Sequence, residues 1–124
     1  MLMAGELTER VIGLAIEVHR QTGPGLLESV YERCLCHELG NAGIPFARQV
    51  PIPMIYKAMR IAQGFKADVV VAGTAILEAK SVAAILSLHK AQLHTYLRMS
   101  GLRIGLILNF NAPRLSEGLR RFIR

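Results

Sequence analysis

Apolar residues recur at Leu7, Val11, Leu14, Ala15 and Val18, the three-and-four spacing of a helix that buries one stripe. A helix is expected over residues 7–21, with Thr8 as its N-cap and Gly23-Pro24-Gly25 as its stop. His19 falls near its end, where it reads as a partner for the last carbonyls or a packed interface residue rather than a ligand. A second helix is expected from about Gly25 to Leu39, ended by Gly40-Asn41-Ala42-Gly43, with Leu27, Tyr31, Cys34, Leu35 and Glu38 in line. Glu28 lies one position off that stripe, on the side of Tyr31 and Leu35. A solvated first-turn acid and a carboxylate aimed inward both fit this position.

The pattern then changes period. Residues 48–56, RQVPIPMIY, carry Pro51 and Pro53, which cannot donate to a ladder, so an edge strand or the lead into one is expected. Residues 57–63 suggest a turn and a short continuation. Strands are expected at about 65–72 and 75–82, with a break at Gly73-Thr74. A helix from about Ala83 to Ser100 buries Leu86, Leu93 and Leu97 and ends at Gly101. His89, Gln92 and Tyr96 form a second line beside that stripe. Residues 103–110, RIGLILNF, are long enough for one strand, and the strand–helix–strand order implies a right-handed parallel crossover. The tail RLSEGLRRFIR reads as a short amphipathic helix or strand with a charged face.

At 124 residues and 52% apolar, the chain has enough material for one packed domain, 1–124. No apolar run approaches the ~20 residues that span a bilayer, and the N-terminus lacks a signal pattern, so no membrane partner and a cytoplasmic location are expected. Cys34 and Cys36 are too close in sequence to pair well and have no second cysteine pair to complete a metal site. The formal charge of +6 gives modest support for a polyanionic partner. Of the five methionines, Met54, Met59 and Met99 suit either an interface or the core.

The candidate chemistry lies in GFKADVVVAGTAILEAK, Gly64 to Lys80. A three-residue loop at Ala72-Gly73-Thr74 sets Val71 opposite Ala75 and Asp68 opposite Glu78; a two-residue loop makes the acids diagonal instead. Glu78 and Lys80, two apart, share a strand face. Two like charges opposite one another repel, and a divalent cation reverses the sign of that term. A plain cross-strand network of Lys80 with the carboxylates is the structural alternative. The apolar residues on both sides of the turn favour a site.

GPGLLESVYE, with Gly25, Glu28 and Tyr31, resembles the signature of the GxxExxY proteins. The resemblance continues through RQVPIPMIY, GFKADVVV, ILEAK, HKAQLHTYLRMSGLRIGLILNFN and the basic tail, covering about residues 10 to 124. That family is placed in the PD-(D/E)XK nuclease-like superfamily. The resemblance implies an α/β fold, a restriction-endonuclease-like mixed sheet of about four strands in α-β-β-β-α-β order flanked by helices. It implies that Asp68 and Glu78 are metal ligands and Lys80 the catalytic lysine, with Glu28 the additional acid of the first core helix. Gln92 and Tyr96 match a QxxxY pattern that contacts DNA or supports the site. Residue 67 is Ala where the superfamily's name has proline. The function implied is phosphodiester hydrolysis of DNA with Mg²⁺ or Mn²⁺, the arginines Arg114, Arg120, Arg121 and Arg124 holding the backbone. A non-catalytic nucleic-acid-binding or protein-interaction module on the same fold is the alternative, and a homodimer is open to so short a chain.

Overall fold

The structure is a computed structural model that describes residues 3–124. Helices α1 (Ala4–Thr22) and α2 (Glu28–Asn41) are followed by strands β1 (Phe46–Tyr56), β2 (Met59–Val71) and β3 (Ala75–Lys80). Helix α3 (Ser87–Ser100) then leads to β4 (Ile104–Asn109), a 3-10 turn (Leu115–Gly118) and β5 (Leu119–Ile123). The expected α-β-β-β-α-β core is present, with β5 added at one edge. The tail is thus a turn followed by a strand, and the sheet has five strands rather than about four.

The sheet order is β1-β2-β3-β4-β5. Only β3 and β4 are parallel, joined through α3; every other neighbour is antiparallel. Strand β4 is buried throughout and β3 nearly so, as suits central strands covered on both faces. Leu7, Val11 and Val18 of α1 and Tyr31, Leu35 and Leu39 of α2 cover one face, against Val69, Val71, Leu77, Leu106 and Leu108. Leu93 and Leu97 of α3 cover the other, against Ile76 and Ile107. The proline-bearing β1 is an edge strand, as its missing donors require.

Several boundaries move for local reasons. Thr8 is not the N-cap: α1 begins at Ala4, and the Thr8 hydroxyl donates back to the Ala4 carbonyl at 2.8 Å. Helix α2 starts at Glu28 rather than Gly25. The Tyr31 hydroxyl donates to Gly23 O (2.6 Å) and accepts from Leu26 N (3.1 Å), holding the intervening segment as a non-helical strap. Helix α3 starts at Ser87, where His89 Nδ1 accepts the Leu86 N–H at 3.0 Å. His19 donates from Nε2 to Ala112 O, 2.8 Å away across the fold, so it anchors the loop after β4 rather than its own helix.

Strand β2 runs much further than the short continuation expected. Lys57 and Ala58, with φ of 46° and 69°, form a two-residue turn that pairs Tyr56 directly with Met59. The register slips between Ile52 and Met54, around Pro53. Gly64 is required there: a Cβ would sit 2.6 Å from Met54 Cβ. Beyond the slip, β1 and β2 continue as a two-stranded ribbon.

Candidate active site

Val71 pairs with Ala75 and Val69 with Leu77, which is the register of the three-residue turn. Continued by one step, it sets Asp68 opposite Glu78. The ladder stops there, and the Asp68 carboxylate accepts the Ala79 N–H at 3.0 Å. The acid thus occupies a place that a backbone carbonyl would fill in a regular sheet.

Glu78 is 5% exposed, and its Oε1 has no hydrogen-bond partner. Its carboxyl is pushed up to about 9 from an ordinary 4.5. Burial is the largest cause; a hydrogen bond to Asp68 and that residue's charge add to it, against a smaller lowering by Lys80. Lys80 is half-buried at the end of β3. The only ion pairs within 4.0 Å among the described residues are Arg20–Glu17 and Arg48–Glu32. Lys80 therefore does not form the cross-strand network with the acids. Its backbone is fixed, because Lys80 O accepts the Phe110 N–H at 2.9 Å.

Glu28 is exposed at the first turn of α2, and its Oε2 accepts the Ser81 N–H at 3.1 Å. Ser81 Oγ also donates to Leu26 O at 2.6 Å. These bonds dock the start of α2 onto the end of β3, directly after Lys80. Among the described residues no three His, Cys, Asp or Glu side chains converge on one point, so the acid cluster itself is the pair Asp68 and Glu78.

Tyr96 stacks on Phe65, with centroids 3.8 Å apart and planes 8° from parallel. Its hydroxyl is held above the ordinary tyrosine range by burial, then by the charges of Glu78 and Asp68. Gln92 is half-buried one turn earlier on α3, on the same side of the helix as Tyr96.

Further contributors were not singled out from the sequence. Glu32 is 4% exposed and accepts from Arg48 (Nε 2.9 Å, Nη2 2.8 Å) and from Gln49 Nε2 (2.7 Å). Gln49 has φ of 50°, an uncommon conformation for a non-glycine residue. Its neighbours pair Arg48 with Val69 and Val50 with Ala67, so Gln49 faces Asp68. Phe65 and Ala67 pack in the α3-side core, but so does Val70, so the side-chain alternation changes phase around Asp68. Glu32 thus pins a kink opposite Asp68. Its only signal in the sequence is an acid on the buried side of α2.

Glu32→Ala is expected to cost about 2 kcal/mol, because bonds to a charged acceptor are lost while the part-exposed Arg48 can rehydrate. Urea unfolding measures this; a change within about 0.5 kcal/mol would show the network to be dispensable.

Asn109 is also buried. It accepts from Val82 N (3.1 Å) and donates to Val82 O (3.0 Å), securing the chain beyond Lys80. Cys34 and Cys36 are free thiols, and burial pushes Cys36 up to about 11, which keeps it protonated and inert. A surface cavity of about 900 Å³ lies at the opposite end of the sheet among Leu7, Ile44, Phe46, Val70 and Gly73. No titratable side chain among the described residues lines it, and it lies away from the acids.

Hard carboxylate oxygens, one of them buried and unpartnered, in a pair that resists double ionisation, fit a divalent cation. A family model described as the PD-(D/E)XK nuclease superfamily matches residues 5–122. The chain therefore belongs to the PD-(D/E)XK nuclease superfamily. No curated protein and no solved structure gave a significant match. Among the described residues no helix is long and apolar enough to cross a membrane.

Proposed function

We propose that this chain is a divalent-cation-dependent phosphodiesterase acting on DNA inside the cytoplasm, with residues 1–124 as one nuclease domain. The observation that carries this reading is the juxtaposition of Asp68 with a buried Glu78 whose Oε1 lacks a partner, next to an unpaired lysine. Asp68 and Glu78 would hold Mg²⁺ or Mn²⁺, with Glu28 at the rim of the same strand end as a third acid reached through solvent. The cation supplies Lewis-acid stabilisation of charge developing on the phosphoryl oxygens.

The chain's own groups do the rest. Lys80, without a carboxylate within 4.0 Å, is free to hold the attacking water by its ammonium and to meet negative charge on the phosphorane. The Phe110 N–H and the Asn109 amide fix the backbone on which it stands, so the ammonium is delivered from a rigid strand end. Ala79 N–H holds one Asp68 oxygen, which fixes the carboxylate's direction. Tyr96, and Gln92 one turn before it on α3, would suit contacts to the substrate backbone.

Titration of the metal-free protein with Mn²⁺ by calorimetry tests the acid pair. Wild type is expected to bind, and Asp68→Ala to bind at least tenfold more weakly. Equal binding by the two would remove the metal site, and with it the proposed hydrolysis.

A further inference from the structure

We propose that the β1–β2 ribbon, residues 53–64, is a nucleic-acid-binding arm that grips the substrate backbone beside the acid pair; this rests on the nuclease reading above.

Its position comes from the sheet register. Strand β3 ends at Lys80, two residues past Glu78, whereas β2 continues from Asp68 back to Met59, so its stretch from Gly64 outward passes beyond the end of β3. That is the end of the sheet that carries Glu78, Lys80 and the Glu28–Ser81 contact. Ala58 at the turn is six residue steps from Gly64, so the arm extends about 20 Å beyond Gly64 at ~3.3 Å per residue. The Phe65–Tyr96 stack ties its root to α3.

Lys57 Nζ stands 5.6 Å over the Tyr56 ring, and the large apolar side chains of the arm are left to solvent. Ile55, Tyr56, Met59 and Ile61 are 58%, 51%, 56% and 37% exposed. A two-stranded ribbon left in water is marginal, and an exposed apolar stripe of this kind marks a contact surface. The pairing places Met54, Tyr56, Met59 and Ile61 on one side of the ribbon, and Ile55 and Arg60 on the other.

Charge selects the occupant. No Asp or Glu occurs between Glu38 and Asp68, while Lys57, Arg60 and Lys66 are exposed there and form no ion pair. A symmetric contact between two copies would bring these cations together with no acid on the ribbon to meet them. A polyanion satisfies them. A two-stranded ribbon is also a shape that a duplex major groove admits, and an exposed Tyr56 can stack on an unpaired base. By contrast, Ile123 pairs with Ile104 and Arg124 N–H donates to Arg103 O, so the end of the basic tail lies at the opposite end of the sheet from the acids. Arg124 is thus remote from the acids, whereas the arm extends from the end of the sheet that carries them.

The test is fluorescence anisotropy of labelled duplex and single-stranded DNA with the full chain in EDTA, from 50 to 200 mM salt. In EDTA any loss of binding is separate from loss of cleavage. Lys57→Ala/Arg60→Ala is expected to weaken binding tenfold or more and to reduce the slope of log K against log salt by about 2. Lys57→Arg/Arg60→Lys should restore it, and Tyr56→Ala should weaken the single-stranded complex most. Unchanged affinity and slope in the folded double alanine variant would overturn the proposal. So would a wild-type dimer in sedimentation that Tyr56→Ser/Met59→Ser dissociates without altering DNA binding. Wild type that binds through the arm yet leaves DNA uncut with Mg²⁺ would sink the nuclease reading and leave the arm standing.

Discussion

Replacing Glu78 with Gln is expected to stabilise the metal-free protein at pH 8 and to remove most of the pH dependence of its melting temperature. In the folded chain Glu78 takes up its proton near pH 9, against an ordinary 4.5 when unfolded. Between those values the folded state holds the proton that the unfolded state has released. Stability is therefore full below about pH 4.5 and declines as pH rises toward 9. Each unit of pH in that window is worth about 1.4 kcal/mol, so the total is on the order of several kcal/mol. Gln carries no charge to desolvate and keeps an amide that can donate to Asp68. With Mn²⁺ present the gap narrows: at a hundred times its dissociation constant a bound ion adds about 2.7 kcal/mol to wild type and little to Glu78→Gln. Thermal melts from pH 5 to 9, with and without Mn²⁺, measure both effects. A wild-type melting temperature that is flat across this range would show that Glu78 is not held protonated by the fold.

Lys80→Met is expected to lower the rate of DNA cleavage by 10²- to 10³-fold while leaving DNA affinity within about threefold. This is the size associated with losing one positioned general-acid–base or charge-stabilising group. The side chain forms no ion pair within 4.0 Å, and its backbone is secured by the Phe110 N–H, so its truncation leaves the strand end in place. Single-turnover cleavage of labelled duplex DNA with Mg²⁺ gives the rate, and anisotropy in EDTA gives the affinity. Cleavage at the wild-type rate would take Lys80 out of the chemistry. Loss of binding and rate in equal measure would make it a phosphate contact instead.

Much of this protein is written locally. The stripe through Leu7, Val11 and Val18 makes α1, because residues three and four apart meet on one helix face whatever surrounds them. Pro51 and Pro53 put β1 at an edge, because the missing donors belong to those residues themselves. The spacing from Asp68 through Ala72-Gly73-Thr74 to Glu78 admits the facing pair, and Glu78 and Lys80 share a face by alternation alone.

What lies between distant segments was decided only by tertiary packing. Two loop lengths were compatible with the sequence, and the Val71–Ala75 pairing chose the one that brings Asp68 to Glu78. Glu28 reaches Ser81 across 53 residues, and Asn109 reaches Val82 across 27; no period along the chain encodes such contacts. Glu32 reads as one more helix acid until α2 lies on the sheet and it meets Arg48 and Gln49. The stretch from Gly64 to Lys80 placed two acids and a lysine among apolar residues. The fold then buried one acid with an unpartnered oxygen, left the lysine free, and extended a basic arm past them, because burial and charge separation are properties of packed elements and not of sequence spacing.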